Sequence, residues 1–238
     1  MYTNYIFDLY GTLVDINTNE NTKSLWEKLA LFYSFNGAYY SAKDLKSSYR
    51  KKVKETQLSI TTTDYPDFPI DNIFVALFED KNIHVSSDII KDTAQMFRIL
   101  SIKYLKLYDG VFELLDLLKQ KKKNIYLLSN AQRIFTLYEM KILKIDKYFD
   151  GIYFSSDYCT CKPDKTFYNK LISQFNLDIN DSIMIGNDFI ADIAGADAVD
   201  LDSLYINSNL SPEITSKLKS TYNIMDGDVH KIKSLIVK

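Results

Sequence analysis

Five short apolar runs, each stopping abruptly at polar residues, constrain this chain more than any other feature. They are YTNYIFDL (residues 2–9), NIYLLSN (124–130), GIYFS (151–155), SIMI (182–185) and SLYI (203–206). From Gly110 onward, segments of helical periodicity separate them: VFELLDLLKQ, a stretch near 132–143 and another near 164–175. Uninterrupted apolar strands alternating with helices imply a parallel sheet covered on both faces. Runs of this length are too short to cross a bilayer as helices, which argues against a membrane protein.

Between Ile16 and about Tyr108 the pattern is different. Leu25, Trp26, Leu29, Phe32 and Tyr33 share one helical face, and Gly37 stands where such a helix would stop. Ser41 with Asp44 opens a lysine-rich helical stretch to about Ser59, and the segment from Thr61 to Pro69 breaks it. Helices near 70–80 and 87–106 follow, with a terminal one after Asp228. The sequence therefore predicts a Rossmann-like, doubly wound α/β core of residues 1–15 and 108–238, with an all-helical insertion at 16–107.

Charge narrows the function. Twenty-nine Lys and Arg oppose 31 Asp and Glu, a net charge of −2, so no basic surface for nucleic acid is expected. No secretory pattern surrounds the first strand, so a cytoplasmic protein is expected. Cys159 and Cys161 stand two residues apart, a poor spacing for a disulfide and too sparse for structural zinc. They read as reduced packing residues.

In open parallel sheets ligands bind outside the carboxyl ends of the strands. That rule selects four clusters: Asp8 to Asp15, Ser129-Asn130, Cys161 to Asp164, and Gly186 to Asp192. Asp8 ends the first strand, and Tyr10-Gly11-Thr12 would turn backbone N–H groups toward whatever that carboxylate binds. Ser129 supplies a hydroxyl, and the Asn130 N–H would open the next helix as an anion site. Lys162 can neutralise an oxyanion, with Pro163 suited to the helical turn after it. Asp188 and Asp192, four residues apart, would share a helix face and repel without a cation. With Asp8 they make an oxygen-only donor set, which suits Mg²⁺ better than zinc.

In this order, Asp8-Leu9-Tyr10-Gly11-Thr12-Leu13, Ser129-Asn130, Lys162-Pro163-Asp164 and Gly186-Asn187-Asp188 with Asp192 resemble the four motifs of the haloacid dehalogenase-like hydrolase superfamily. The insertion resembles the cap of its phosphoglycolate-phosphatase-like and dehalogenase-like branches. The resemblance implies a hydrolase of a small phosphorylated metabolite, monomeric or homodimeric. Asp8 would be the nucleophile, passing through an aspartyl-phosphate. Mg²⁺ would be held by Asp8, the Tyr10 carbonyl and Asp188, with Asp192 in support. Ser129, Asn130, Lys162 and Gly11 would hold the phosphoryl group.

One position departs from the pattern. Most phosphatases of the superfamily carry a second aspartate two residues after the nucleophile as general acid and base, and here that position is Tyr10. A phenol is a poor base at neutral pH, and loss of acid–base help costs about 10²–10⁴-fold in rate. Two alternatives follow: a metal-independent 2-haloacid dehalogenase, or a slow or inactive phosphometabolite-binding protein. Against the first, no arginine occurs between Asp8 and Arg50.

Overall fold

The computed structural model describes residues 2–237; the two ends of the expected core range, residues 1 and 238, lie outside the described residues. Six parallel strands form the main sheet in the order β5-β4-β1-β6-β7-β8, namely Gly151–Phe154, Asn124–Ser129, Asn4–Phe7, Ser182–Gly186, Asp202–Ile206 and Tyr222–Ile224. Alternation along the central strands explains why both faces are covered. Tyr5 and Phe7, with Ile125, Leu127, Ile183 and Ile185, face one core, which takes in Val111, Leu114, Leu115 and Leu118 of α5 (Val111–Gln120) and Ile232 of α9 (His230–Ile236). Ile6, Tyr126, Leu128 and Met184 face the other, closed by Phe167, Tyr168 and Leu171 of α7 (Lys165–Phe175). This is the expected α/β architecture.

Register is fixed at the amino end by a buried polar chain: Asn124 donates to Asn4, and Asn4 to Ser182, across three neighbouring strands. At the opposite end the strands finish in step, so Asp8, Ser129 and Asn187 emerge side by side.

Between β1 and α5 the chain leaves the sheet. An antiparallel pair, β2 (Val14–Thr18) and β3 (Ile102–Leu107), forms a two-stranded stem. It carries the helices α1 (Lys23–Phe35), α2 (Ala42–Ser59), α3 (Asp71–Glu79) and α4 (Ser87–Ser101). These bury their own aromatic core, in which Tyr33 stacks on Phe78 at 4.2 Å and Trp26 packs edge-on to Phe97. Gly37 ends the first helix with φ of +87°, and the Ser41 hydroxyl accepts from the Asp44 amide to open the second.

Four local expectations are corrected. The helix expected to reach residue 106 stops at Ser101, because Ile102–Leu107 pair with β2 across the stem. The short β8 adds a strand at the sheet edge. Helix α6 (Arg133–Ile142) starts three residues after Asn130, and Ser155 and Ser156 take the amides of Ala131 and Arg133. Asp164 caps α7, so Pro163 precedes the cap, after a cis peptide bond. No helix among the described residues is long and apolar enough to cross a membrane.

Candidate active site

Lys162 is the centre of the site. Its ammonium lies 2.7 Å from Asp8 Oδ1 and 2.6 Å from Asp192 Oδ1, all three groups buried at the carboxyl end of the sheet. Ser129 Oγ donates to the same Asp8 oxygen at 3.3 Å. Burial would pull the lysine pKa down, but Asp192 and Asp8 outweigh it and the pKa rises. Burial raises the pKa of Asp192, the Lys162 charge working against it. Removing Lys162 would leave the buried Asp8 and Asp192 carboxylates without their counter-charge.

The chain around these groups is built to hold them. Asn130 and Lys162 exchange hydrogen bonds: Asn130 Nδ2 donates to the Lys162 carbonyl, and the Lys162 amide donates to Asn130 Oδ1. Asn130 thus orders the lysine through its side chain; its expected amide position at a helix start is not formed. Asp188 Oδ1 accepts from the amides of Ile190 and Ala191, capping a π-helical turn (Phe189–Ala194) that runs into α8 (Gly195–Asp197). The turn brings Asp192 back under Asp188, where Asp192 Oδ2 accepts the Asp188 amide. Both Asp192 oxygens therefore serve protein donors, Lys162 at one and the Asp188 amide at the other.

Gly11 also takes a different part from the one expected. Its amide donates to the Val14 carbonyl, so it is not free for a substrate. Its φ is +88°, and a Cβ there would sit 2.3 Å from the Asn187 side chain. Glycine is required for the turn and for the approach of Asn187, whose Oδ1 accepts from the Thr12 hydroxyl.

Tyr10 stands at the cavity, but its hydroxyl is committed elsewhere. It donates to Glu139 of α6, lies 3.0 Å from the Thr136 hydroxyl, and is approached by Arg98 of α4. Burial, with the Glu139 charge next to it, raises the phenol pKa well above its ordinary value. Sequence reading missed Arg98 and Glu139 as parts of this arrangement. The available signal was rarity: one of three arginines in the chain, and a glutamate on a buried helix face.

The cavity at these residues has a volume of about 160 Å³ and is lined by Asp8, Ser129, Lys162 and Asp188 together with Leu210 and Pro212. A larger groove of about 620 Å³ lies between α4 and α6, walled by Met96, Ile99, Ile134 and Tyr138. That groove is mostly apolar and its Arg98 is already paired with Glu139, whereas the smaller cavity gathers Asp8, Lys162, Asp188 and Asp192. Among the described residues no three His, Cys, Asp or Glu side chains form a ready cage for a metal ion. The donors do fit a cation that keeps water and substrate oxygens as ligands, as Mg²⁺ does. Asp8, Asp188 and Asp192 oppose a single ammonium, and Asp188 Oδ2 has no protein donor among the described residues.

A parallel sheet with an aspartate, a lysine and paired acids at its strand ends is an arrangement shared with a known class of protein. The chain belongs to the haloacid dehalogenase-like hydrolases, whose family model matches residues 5–206. Over 132 residues it is 26% identical to the HAD-hydrolase YfnB of Bacillus subtilis, covering 51% of this chain and 55% of that one. Over 115 residues it is 25% identical to the pyrimidine 5′-nucleotidase PynA of Streptococcus pneumoniae, 48% of each. The chain thus aligns with about half the length of these relatives. In three dimensions it is similar to a HAD phosphatase from Thermococcus onnurineus, with a TM-score of 0.60 at 15% identity, over 100% of this chain and 98% of that one.

Proposed function

We propose that the protein is a Mg²⁺-dependent phosphohydrolase acting on a small phosphorylated compound, with Asp8 as nucleophile. The observation that carries this reading is the placement of Lys162 against Asp8, with Ser129 on the same carboxylate oxygen and the remaining Asp8 oxygen, Oδ2, held only by a 3.5 Å contact from Thr12. One carboxylate oxygen is fixed by positive charge and the other has room to attack. Phosphoryl transfer asks mainly for positioning and charge neutralisation, which is what this cluster offers.

In this reading Asp8 attacks phosphorus and forms an aspartyl-phosphate, which water then hydrolyses. Lys162 and Ser129 hold the phosphoryl oxygens, and Asn130 and Asp192 keep the lysine in place. The carboxylates of Asp8 and Asp188 with the Tyr10 carbonyl are the groups that would hold Mg²⁺, which when bound supplies charge neutralisation between phosphate and nucleophile. Residues 16–107 act as a cap over a core of residues 1–15 and 108–238. Two contacts support that role: Thr63 of the segment between α2 and α3 donates to Asp164, and Gln132 donates to Asp67 and the Phe68 carbonyl.

The dehalogenase alternative has less support, since among the described residues no arginine lines the cavity to receive the carboxylate of a haloacid. The test is release of inorganic phosphate from small phosphorylated compounds with Mg²⁺ and with EDTA, the Asp8→Asn protein serving as blank. Release that needs both Mg²⁺ and Asp8 is expected. Release unchanged in Asp8→Asn would remove Asp8 from the reaction.

A further inference from the structure

We propose that this site is selective for phosphorylated compounds whose leaving group departs as a stable anion, small acyl phosphates being the class that fits, and is a poor catalyst for phosphate esters of alcohols. The inference rests on the phosphohydrolase reading above and comes from asking where a proton could come from.

When Asp8 attacks, its carboxylate oxygen forms a bond to phosphorus and the bond from phosphorus to the leaving oxygen breaks, the electron pair going with that oxygen. An alcohol would leave as an alkoxide unless a side chain protonates it. A carboxylic acid leaves as a carboxylate, with a pKa near 4, and needs no proton. Water then attacks phosphorus, the bond to Asp8 breaks and returns its carboxylate, and the protons of water go to the phosphate and to solvent.

Five titratable side chains line the cavity, and each is accounted for. Asp8 is the nucleophile. Lys162 gives hydrogen bonds to Asp8 at 2.7 Å and to Asp192 at 2.6 Å. Asp192 is 1% exposed and accepts from Lys162 and from the Asp188 amide. Asp188 caps the π-helical turn with one oxygen and keeps the other for a cation. Tyr10 has a single O–H, and it is donated to Glu139, between α4 and α6. The two histidines of the chain are elsewhere: His84 follows α3 in the helical insertion, and His230 opens α9 and packs against Gly110. The two hydroxyls that line the cavity, those of Ser129 and Tyr10, are donated to Asp8 and Glu139, and among the described residues no histidine or cysteine lines it.

The inner part of the cavity, about 160 Å³, holds a phosphoryl group and the first atoms of the leaving group, so the departing oxygen lies among these side chains.

The experiment compares kcat/KM for acetyl phosphate, a graded series of aryl phosphates and ethyl phosphate, with Mg²⁺ and with Asp8→Asn as the blank for spontaneous hydrolysis. The expected result is a continuous fall as the leaving group becomes more basic, reaching at least about 10²-fold between acetyl and ethyl phosphate. Asp8-dependent hydrolysis of ethyl phosphate within about tenfold of acetyl phosphate would overturn the leaving-group proposal and leave the phosphohydrolase standing. Absence of Asp8-dependent release from every compound would overturn the phosphohydrolase reading, and this proposal with it.

Discussion

Arg98 of the helical insertion and Glu139 of the α/β core form an ion pair across the boundary between the two, with Arg98 Nε 2.5 Å from Glu139 Oε1. Glu139 is almost wholly buried, and the pair also receives the Tyr10 hydroxyl, two residues after the nucleophile. A contact between the insertion and the core is thereby tied to the loop that carries Asp8.

Arg98→Met would leave the Glu139 carboxylate buried without its counter-charge. Removal of one partner of a buried pair costs about 3–5 kcal/mol, while replacing both by apolar groups of similar volume costs far less. Denaturant unfolding of Arg98→Met, Glu139→Met and the double variant checks this. The expected order is a large loss in each single variant and recovery of most of it in the double.

Asp192→Asn keeps an acceptor for the Asp188 amide but removes the charge that pairs with Lys162. Changes behind a reacting group of this kind cost about 10–100-fold in activity or metal affinity. Steady-state kinetics should show a loss in that range, mainly in kcat, with the far-ultraviolet circular dichroism of the fold retained.

Gly186→Ala tests the same contact from the backbone. A Cβ at Gly186 would lie 2.2 Å from the Asp192 carboxylate, so Asp192 must move away from Lys162. The expected outcome is a protein with lower stability, by about 1–3 kcal/mol, and less activity than Asp192→Asn. Activity equal to the parent would show that the site tolerates displacement of Asp192.

Asp164 provides the pH dependence. Burial works against its charge, but hydrogen bonds from Thr63, the Thr166 amide and Thr160 prevail and lower its pKa from 3.8 to about 2. A carboxylate whose pKa is lower in the folded state adds stability above its unfolded pKa and loses it as pH falls through the folded one. The contribution is therefore full above pH 4 and gone near pH 2, and it is reduced by the exposure of the group. Unfolding free energies of the parent and Asp164→Asn, measured against pH, should differ above pH 4 and converge toward pH 2.

The strands, the sheet class and the four clusters at the strand ends were legible in the sequence, because burial on both faces demands uninterrupted apolar runs and the chain must turn where they end. Ser129 and Lys162 could be selected on that ground alone, and the helix boundary at Ser41 from its capping pattern with Asp44. The stem was not legible: Ile102–Leu107 has residues acceptable to a helix, and only pairing with Val14–Thr18 makes it a strand. Nor could the roles of Tyr10, Gly11, Asn130 and Asp192 be assigned, since each depends on a partner distant in the chain. Tyr10 reaches Glu139, Gly11 makes room for Asn187, Asn130 holds the Lys162 backbone, and Asp192 neutralises the lysine. Sequence by itself determined where a site would form, because strand ends are a local consequence of hydrophobic pattern. Tertiary structure decided which side chains there are free to react, because the hydrogen bonds and ion pairs that commit a side chain join segments far apart along the chain.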